Sequence, residues 1–434
     1  MDMSNVVKSS LGFKYPSLRD DPLHSGLKWL EGKNTDDKAE NLWRIHDKLY
    51  DLRKFVNLHP GGSEWIELTK GTDITEAFES HHLSPKAENL LPKYFVKESS
   101  TPRNYPFTFK ENGFYRTLKR NIYQELETVP KSAITRTKIL IDSLLVSYLS
   151  FFLLAVYYKS VILGILSGLS LGFLTGAAHN YFHQRNSFRR FYFNFSMMSC
   201  SEWRISHVLS HHMYTNTVYD LEISSVEPFF QYLPGKKNFI VRYGSWIYGV
   251  FIYAVLFVTS YIKTAASLRS KVNWTFLLPF LPLILSWVIT NQPLEICAFF
   301  FLWIITIGSL HFAIIGLNAA HHHPDIFHDG DTARPKTELD WGVFQLDAVM
   351  DRKDITGSHF LVLTNFGDHA LHHLFPTLDH GILTYLYPVF LKTCKEFGVE
   401  WRLQSQLDLI KGQYRQLAKI VPNQTPPKKL IKTG

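Results

Sequence analysis

Five apolar runs near the length that crosses a bilayer, about 20 residues, dominate the middle of this chain. They are Ile139 to Tyr158, Val161 to Ala178, Trp246 to Ile262, Trp274 to Thr290 and Leu294 to Leu317. The first two and the last two are separated by only a few residues, so they pair as helical hairpins. Lipid offers the backbone no hydrogen-bond partners, which makes helices the expected solution. No internal repeat of solenoid length accompanies them.

Residues before 138 are polar and mixed, and Ser99-Ser100-Thr101-Pro102 reads as a linker. The first 30 residues lack the apolar core of a secretory signal. Three distant cysteines, Cys200, Cys297 and Cys394, exclude a disulfide scaffold and a Cys-type zinc module. Both features lead us to expect the soluble parts on the reducing, cytosolic side. The net charge of +8 is dispersed between apolar runs, with no nucleic-acid module, so no nucleic-acid partner is expected.

The 20 histidines are less evenly spread, 15 of them lying between His179 and His380. They form four clusters: His179 and His183; His207, His211 and His212; His321, His322 and His323 after Asn318; and His369, His372 and His373. Spacings of three and four residues put imidazoles on one helix face, where they can share an ion. So many imidazoles without cysteine disfavour structural zinc, and calcium or magnesium would take oxygen ligands. Imidazole suits iron, copper, zinc or nickel, and two ions with four or five nitrogens each would use this supply; beside the haem site read below, redox-active iron is the expected choice. If the clusters converge, they lie on one side of the membrane, and an even number of crossings separates His212 from His321. One of the three runs between them is therefore interfacial. Trp246 to Ile262 is the expected one, because the other two form a tight hairpin; Arg189 to Cys200 also suits an interface.

Upstream, His59-Pro60-Gly61-Gly62 offers an imidazole beside a turn with no side chain to block a flat macrocycle. His82 follows 23 residues later, with His81 beside it as a competing second ligand. Two axial histidines leave haem iron no open position, so such a site passes electrons. Glu64, Glu67, Asp73, Glu76 and Glu79 against Lys70 make an acidic skirt suited either to a basic electron donor or simply to solvent.

Leu42-Trp43, Leu49-Tyr50-Asp51, Phe55, the HPGG turn, Gly71, Asp73, Ala77 and Phe78 resemble the cytochrome b5 fold. That resemblance implies haem b held by His59 and His82. The HxxxH, HxxxHH and HxxHH series resembles the histidine boxes of the membrane fatty acid desaturase family. The flanking His211-His212-Met213-Tyr214-Thr215-Asn216, Asp220 and His372-His373-Leu374-Phe375-Pro376 strengthen the likeness. The whole is similar to cytochrome b5-fused desaturases. The resemblance implies a tail (1–24), a small α+β haem domain (25–98), a linker and pre-membrane segment (99–138) and an α-helical membrane domain (139–434). That last domain would have about four transmembrane helices, interfacial helices and a cytosolic histidine-rich cap.

By the same resemblance, two non-haem irons would be held by His179, His183, His207, His211, His212, His369, His372 and His373. His322 is the expected ninth ligand and Asn318 would hold a water, with His321 or His323 as alternatives at the ninth position. Desaturation of a lipid acyl chain with O2 is implied, with electrons from NADH-cytochrome b5 reductase or a similar flavoprotein at the endoplasmic reticulum. Hydroxylation, or a haem-bearing electron carrier with a non-catalytic second domain, are the alternatives. Two departures leave the substrate open. Front-end desaturases have Gln where this chain has His369, and their second box is one residue shorter. His311 is expected to be a packed interior residue, and His328, His359 and His380 have no partner at ligand spacing.

Overall fold

The computed structural model describes residues 7–268, 274–316 and 320–427. Helix α1 (Gly26–Asp37), capped by the Ser25 hydroxyl, leads into a three-stranded antiparallel sheet in the order β1 (Trp43–Ile45), β2 (Lys48–Tyr50), β3 (Phe95–Glu98). Between β2 and β3 lie the short helices α2 (Ser63–Leu68), α3 (Thr75–His81) and α4 (Lys86–Leu90). Trp43, Ile45, Tyr50, Leu52, Ile66 and Phe78 form the core of this lobe. The Trp43 indole donates to Ile66 O at 2.9 Å, which satisfies its one polar atom inside that core.

The segment expected to be a linker is folded into the body of the protein. Tyr105 and Phe107 are buried, and so is one face of α5 (Phe114–Glu125), through Tyr115, Leu118 and Ile122. Arg103 reaches back to Asp73 at 2.7 Å and Glu76 at 2.5 Å. The expected tail is likewise seated: Leu11 and Phe13 are buried, Ser10 N donates to Asp329, and Arg19 pairs with Glu227.

The acidic skirt is spent on these internal contacts. Glu79 meets His46, Arg116 and Lys119, and Glu64 meets Arg190 and Arg204. Only Glu67 of the five acids is exposed.

Helices α6 (Ser132–Tyr158) and α7 (Val161–His179) form the first hairpin. Gly164, Gly168, Gly172 and Gly176 recur every fourth residue along α7, and the first three admit α13 (Leu294–Gly316) to close approach. A Cβ on Gly168 would lie 2.5 Å from Ile307 Cβ. Small residues of this kind are what let membrane helices pack backbone to backbone. His311 packs edge-on to Phe173 at 4.5 Å, in keeping with the interior role expected of it.

Beyond α7 the chain runs along a 3-10 segment (Phe188–Ser196) to α8 (Cys200–Trp203), a π-helical stretch (Arg204–His211), α9 (His212–Tyr214) and α10 (Leu221–Ser224). Helix α11 (Ser245–Leu268) follows, then a 3-10 turn (Trp274–Phe280) that continues as α12 (Leu281–Thr290) and pairs with α13. The cap is completed by α14 (Trp341–Asp347), α15 (His359–Thr364), α16 (His369–Leu374), α17 (His380–Phe397) and α18 (Gln406–Ala418).

Four helices among the described residues are long and apolar enough to cross a membrane: Ser132–Tyr158, Val161–His179, Ile240–Ser267 and Leu294–Gly316. The third contains the run expected at the interface. Its length and composition would let it cross, whereas Trp274–Thr290, expected to cross, is among the shorter apolar helices. Arg242 donates to Ala418 O at 3.0 Å and Trp246 lies against Tyr414, while Lys263 shares a cavity with His24 and Glu202.

Candidate metal centre and haem pocket

Each histidine cluster is delivered by an element whose geometry accounts for its spacing. The end of α7 carries His179, and the turn beyond it brings round His183. His207 and His211 sit on the π-helical stretch, directly followed by His212. A wider i→i+5 turn holds one residue more than an α-turn, and π-turns are common at functional sites. This geometry accommodates the extra residue of the HxxxHH box. Helix α16 carries His369, His372 and His373, and Asp351 Oδ1 accepts from the backbone N–H groups of His369 (2.6 Å) and Ala370 (3.2 Å).

The rings converge as two groups, in each of which the ligand atoms lie within 4.8 Å of one another. His179, His183, His207, His212 and His372 form one group; His211, His321, His369 and His373 form the other. In the first, His207 Nε2 stands 2.6 Å from His179 Nε2 and 2.9 Å from His212 Nε2. In the second, His321 Nε2 stands 2.6 Å from His369 Nε2 and 3.2 Å from His211 Nε2. His212 and His373 stack at 4.0 Å and join the groups.

On three of the rings a side chain holds the opposite nitrogen from behind. His207 Nδ1 meets Glu222 at 3.0 Å, His211 Nδ1 meets Asp220 at 2.8 Å, and His373 Nδ1 meets Gln345 at 3.0 Å. Asp220 also caps α10 through the N–H groups of Glu222 and Ile223, so one carboxylate anchors both a helix and a ring. Carboxylates behind imidazoles fix the tautomer and leave Nε2 as a lone pair facing inward. Burial, then the neighbouring imidazoles, push His183 and His212 well below their ordinary pKa. They are thus neutral, the form that ligates metals. Both ring nitrogens of His183, with His373 Nε2, are buried without a protein partner. A nitrogen-only, buried and convergent donor set with orphaned atoms fits transition-metal ions.

At the position expected for His322 the structure instead brings His321 into the second group. His322 stacks face to face on Tyr232 at 3.6 Å, and His323 turns toward Asp325. Asn318 lies outside the described residues. Spacing also missed His380: its ring lies 4.4 Å from His372 and its Nδ1 meets Asn180 Oδ1 at 2.8 Å. His359 is held by Thr137 at 2.9 Å, and His328 Nδ1 lies 3.2 Å from Ile326 O. A cavity of about 130 Å³ reaches His207, His211, His321 and His369 between Trp203, Leu256, Phe312 and Phe366, and is also lined by His24, Glu202 and Lys263.

In the N-terminal lobe the rings of His59 and His82 face each other at 6.1 Å. His59 Nδ1 is held by Gly62 O (2.8 Å) and His82 Nδ1 by Phe78 O (2.9 Å), which leaves both Nε2 atoms free. Gly61 is needed because a Cβ there would meet the His59 ring at 2.9 Å, and Gly62 has a φ of 113° that favours glycine. The adjoining cavity, about 700 Å³ and mostly apolar, fits a haem between the two imidazoles. His81 lines the same cavity, with its ring turned toward the first histidine group. Its ring lies 5.8 Å from His183 and 6.3 Å from Trp65, and its Nε2 is buried without a partner. His81 and His183, the latter a member of the first histidine group, thus both line the haem pocket, which adjoins that group directly.

The sequence model of the family described as fatty acid desaturase matches residues 158–405, and that of the cytochrome b5-like heme/steroid binding domain matches residues 27–99. The chain belongs to the fatty acid desaturase family and carries a cytochrome b5-like domain ahead of the helical part. It is 42% identical to the cytochrome b5-related protein of Drosophila melanogaster, over 97% of this chain and 98% of that one. It is 25% identical to acyl-lipid (8-3)-desaturase B of Dictyostelium discoideum, over 88% of this chain and 92% of that one. No solved structure matches the chain significantly.

Proposed function

We propose that this chain is a membrane oxidoreductase of lipid metabolism that desaturates an acyl chain with O2. On this reading His59 and His82 hold haem b, and the two histidine groups hold one iron ion each, with His321 in the place expected for His322. When bound, the iron pair supplies an O2-derived oxidant able to break an unactivated C–H bond, and the haem supplies single electrons.

The chain's own residues do the rest. Glu222, Asp220 and Gln345 hold the imidazoles they touch, so that the inward nitrogens stay lone pairs. Trp203, Leu256, Phe312 and Phe366 form an apolar wall that would position a hydrocarbon segment against His207 and His369 and exclude water. The Arg204 ion pair ties the haem lobe to the stretch that carries His207 and His211, and the Arg103 and Arg116 pairs tie it to the segment through α5, so electron delivery needs no diffusional encounter. The reading includes an NADH-dependent flavoprotein donor such as cytochrome b5 reductase. It also includes residence in the endoplasmic reticulum membrane, with the haem lobe and the histidine cap facing the cytosol.

The observation that carries it is the convergence of nine buried histidines into two adjoining groups beside a two-histidine haem pocket. The test is haem and non-haem iron per chain in detergent-purified protein, with and without added ferrous iron. One haem with an iron for each group supports the reading, as does loss of lipid modification in His372→Ala with an intact haem spectrum. One haem and no further iron after reconstitution would leave an electron carrier and sink the enzymatic reading.

A further inference from the structure

The fold of the N-terminal lobe alone does not close the haem pocket. One wall is built by His183, Gln184 and Arg185, just past the end of α7, with Leu209 and Thr377. The loop that carries this wall is pressed against the turn that presents His59. A Cβ on Gly62 would lie 2.9 Å from Asn186 Nδ2, and Glu64, just beyond that turn, pairs with both Arg190 and Arg204.

The charge of the lining is as informative as its shape. The cavity is mostly apolar and carries two cations, Lys86 and Arg185, and no carboxylate. Arg185 is exposed and has no ion-pair partner among the described residues. Beside it the Gln184 side-chain Nε2 is buried with no hydrogen-bond partner. An unpaired guanidinium and an orphaned amide N–H at the edge of an apolar slot are complementary to a flat apolar ring that ends in carboxylates. Haem b has that chemistry, and a guanidinium suits a carboxylate better than any other side chain does.

Resting on the haem reading above, we propose that the desaturase part of the chain completes the haem site. Arg185, with the Gln184 amide beside it, receives a haem carboxylate, so haem retention depends on the membrane domain as well as on His59 and His82. This is a positioning role that leaves axial ligation untouched.

The test uses the full chain in detergent, stripped of haem and reloaded with either haem b or its dimethyl ester, whose carboxylates are blocked. Haem loss to an excess of apo-globin is then timed for the wild type, Arg185→Gln and Arg185→Lys. Arg185→Gln should lose haem b about three- to fivefold faster, as suits a solvent-exposed ion pair. Arg185→Lys should recover part of the difference, and the dimethyl ester should leave all three proteins at one rate. Equal retention of haem b by Arg185→Gln and wild type would overturn the inference, and so would equal acceleration for both haems. Failure of wild type to take up any haem would instead sink the haem reading on which the inference rests.

Discussion

His321 and His322 are neighbours in the chain, yet one turns into the second histidine group and the other stacks on Tyr232. Neither lies on a helix, so no periodicity assigns them a face, and only the tertiary surroundings do. His321→Ala should lower bound non-haem iron, whereas His322→Ala should retain it; metal analysis after a chelator challenge distinguishes them. His81 and His82 pose the same question on the haem side. His82→Ala should abolish the two-imidazole haem spectrum and His81→Ala should preserve it, because the His81 ring faces His183 and Trp65. His380 shows the limit of spacing rules from the other direction. It begins α17, just past the last box but at no ligand spacing from it, and Asn180 places it against His372.

Among the elements, α7 delivers His179, its last residue, to the first histidine group. Its glycines at every fourth position set how closely α13 can approach, and α13 in turn leads to His321. Gly168→Leu would drive its side chain into Ile307 and Ile304 O. Overpacking of this kind costs about 1–3 kcal/mol or more. The expected outcome is a lower melting temperature in detergent with loss of bound iron, while the haem spectrum persists. The histidine periodicity on α16 was legible in the sequence, because a regular helix maps spacing onto a face. The π-helical stretch was not legible: nothing in a one-residue-longer box tells a π-turn from a slipped register until the neighbouring elements close around it.

Across the whole molecule, the haem lobe and the histidine cap are held together by charges that look like a solvated surface in the sequence. Glu79 lies at that junction. Burial works to raise its carboxyl pKa, but the His46 hydrogen bond, Lys119 and Arg116 outweigh it and hold the value at about 2. A carboxyl whose pKa is lowered by folding contributes stability above its unfolded value, and that contribution is lost as pH falls toward the folded one. The full chain should therefore lose about 3 kcal/mol between roughly pH 4.5 and pH 2 from this group. Glu79→Gln should flatten that part of a stability-against-pH curve, which chemical denaturation in detergent would read.

The sequence by itself determined the apolar runs, the haem turn and the histidine boxes. These are local patterns, set by periodicities of two to five residues and by the chemistry of imidazole and glycine. Only the tertiary structure decided which histidine of a triplet turns inward and where the acidic residues of the haem lobe are spent. It also decided that Tyr105 and Phe107, in the stretch after the haem lobe, are buried, and that Arg103 there pairs with Asp73. Those outcomes depend on partners tens to hundreds of residues away, and burial, which no local pattern encodes, selects them.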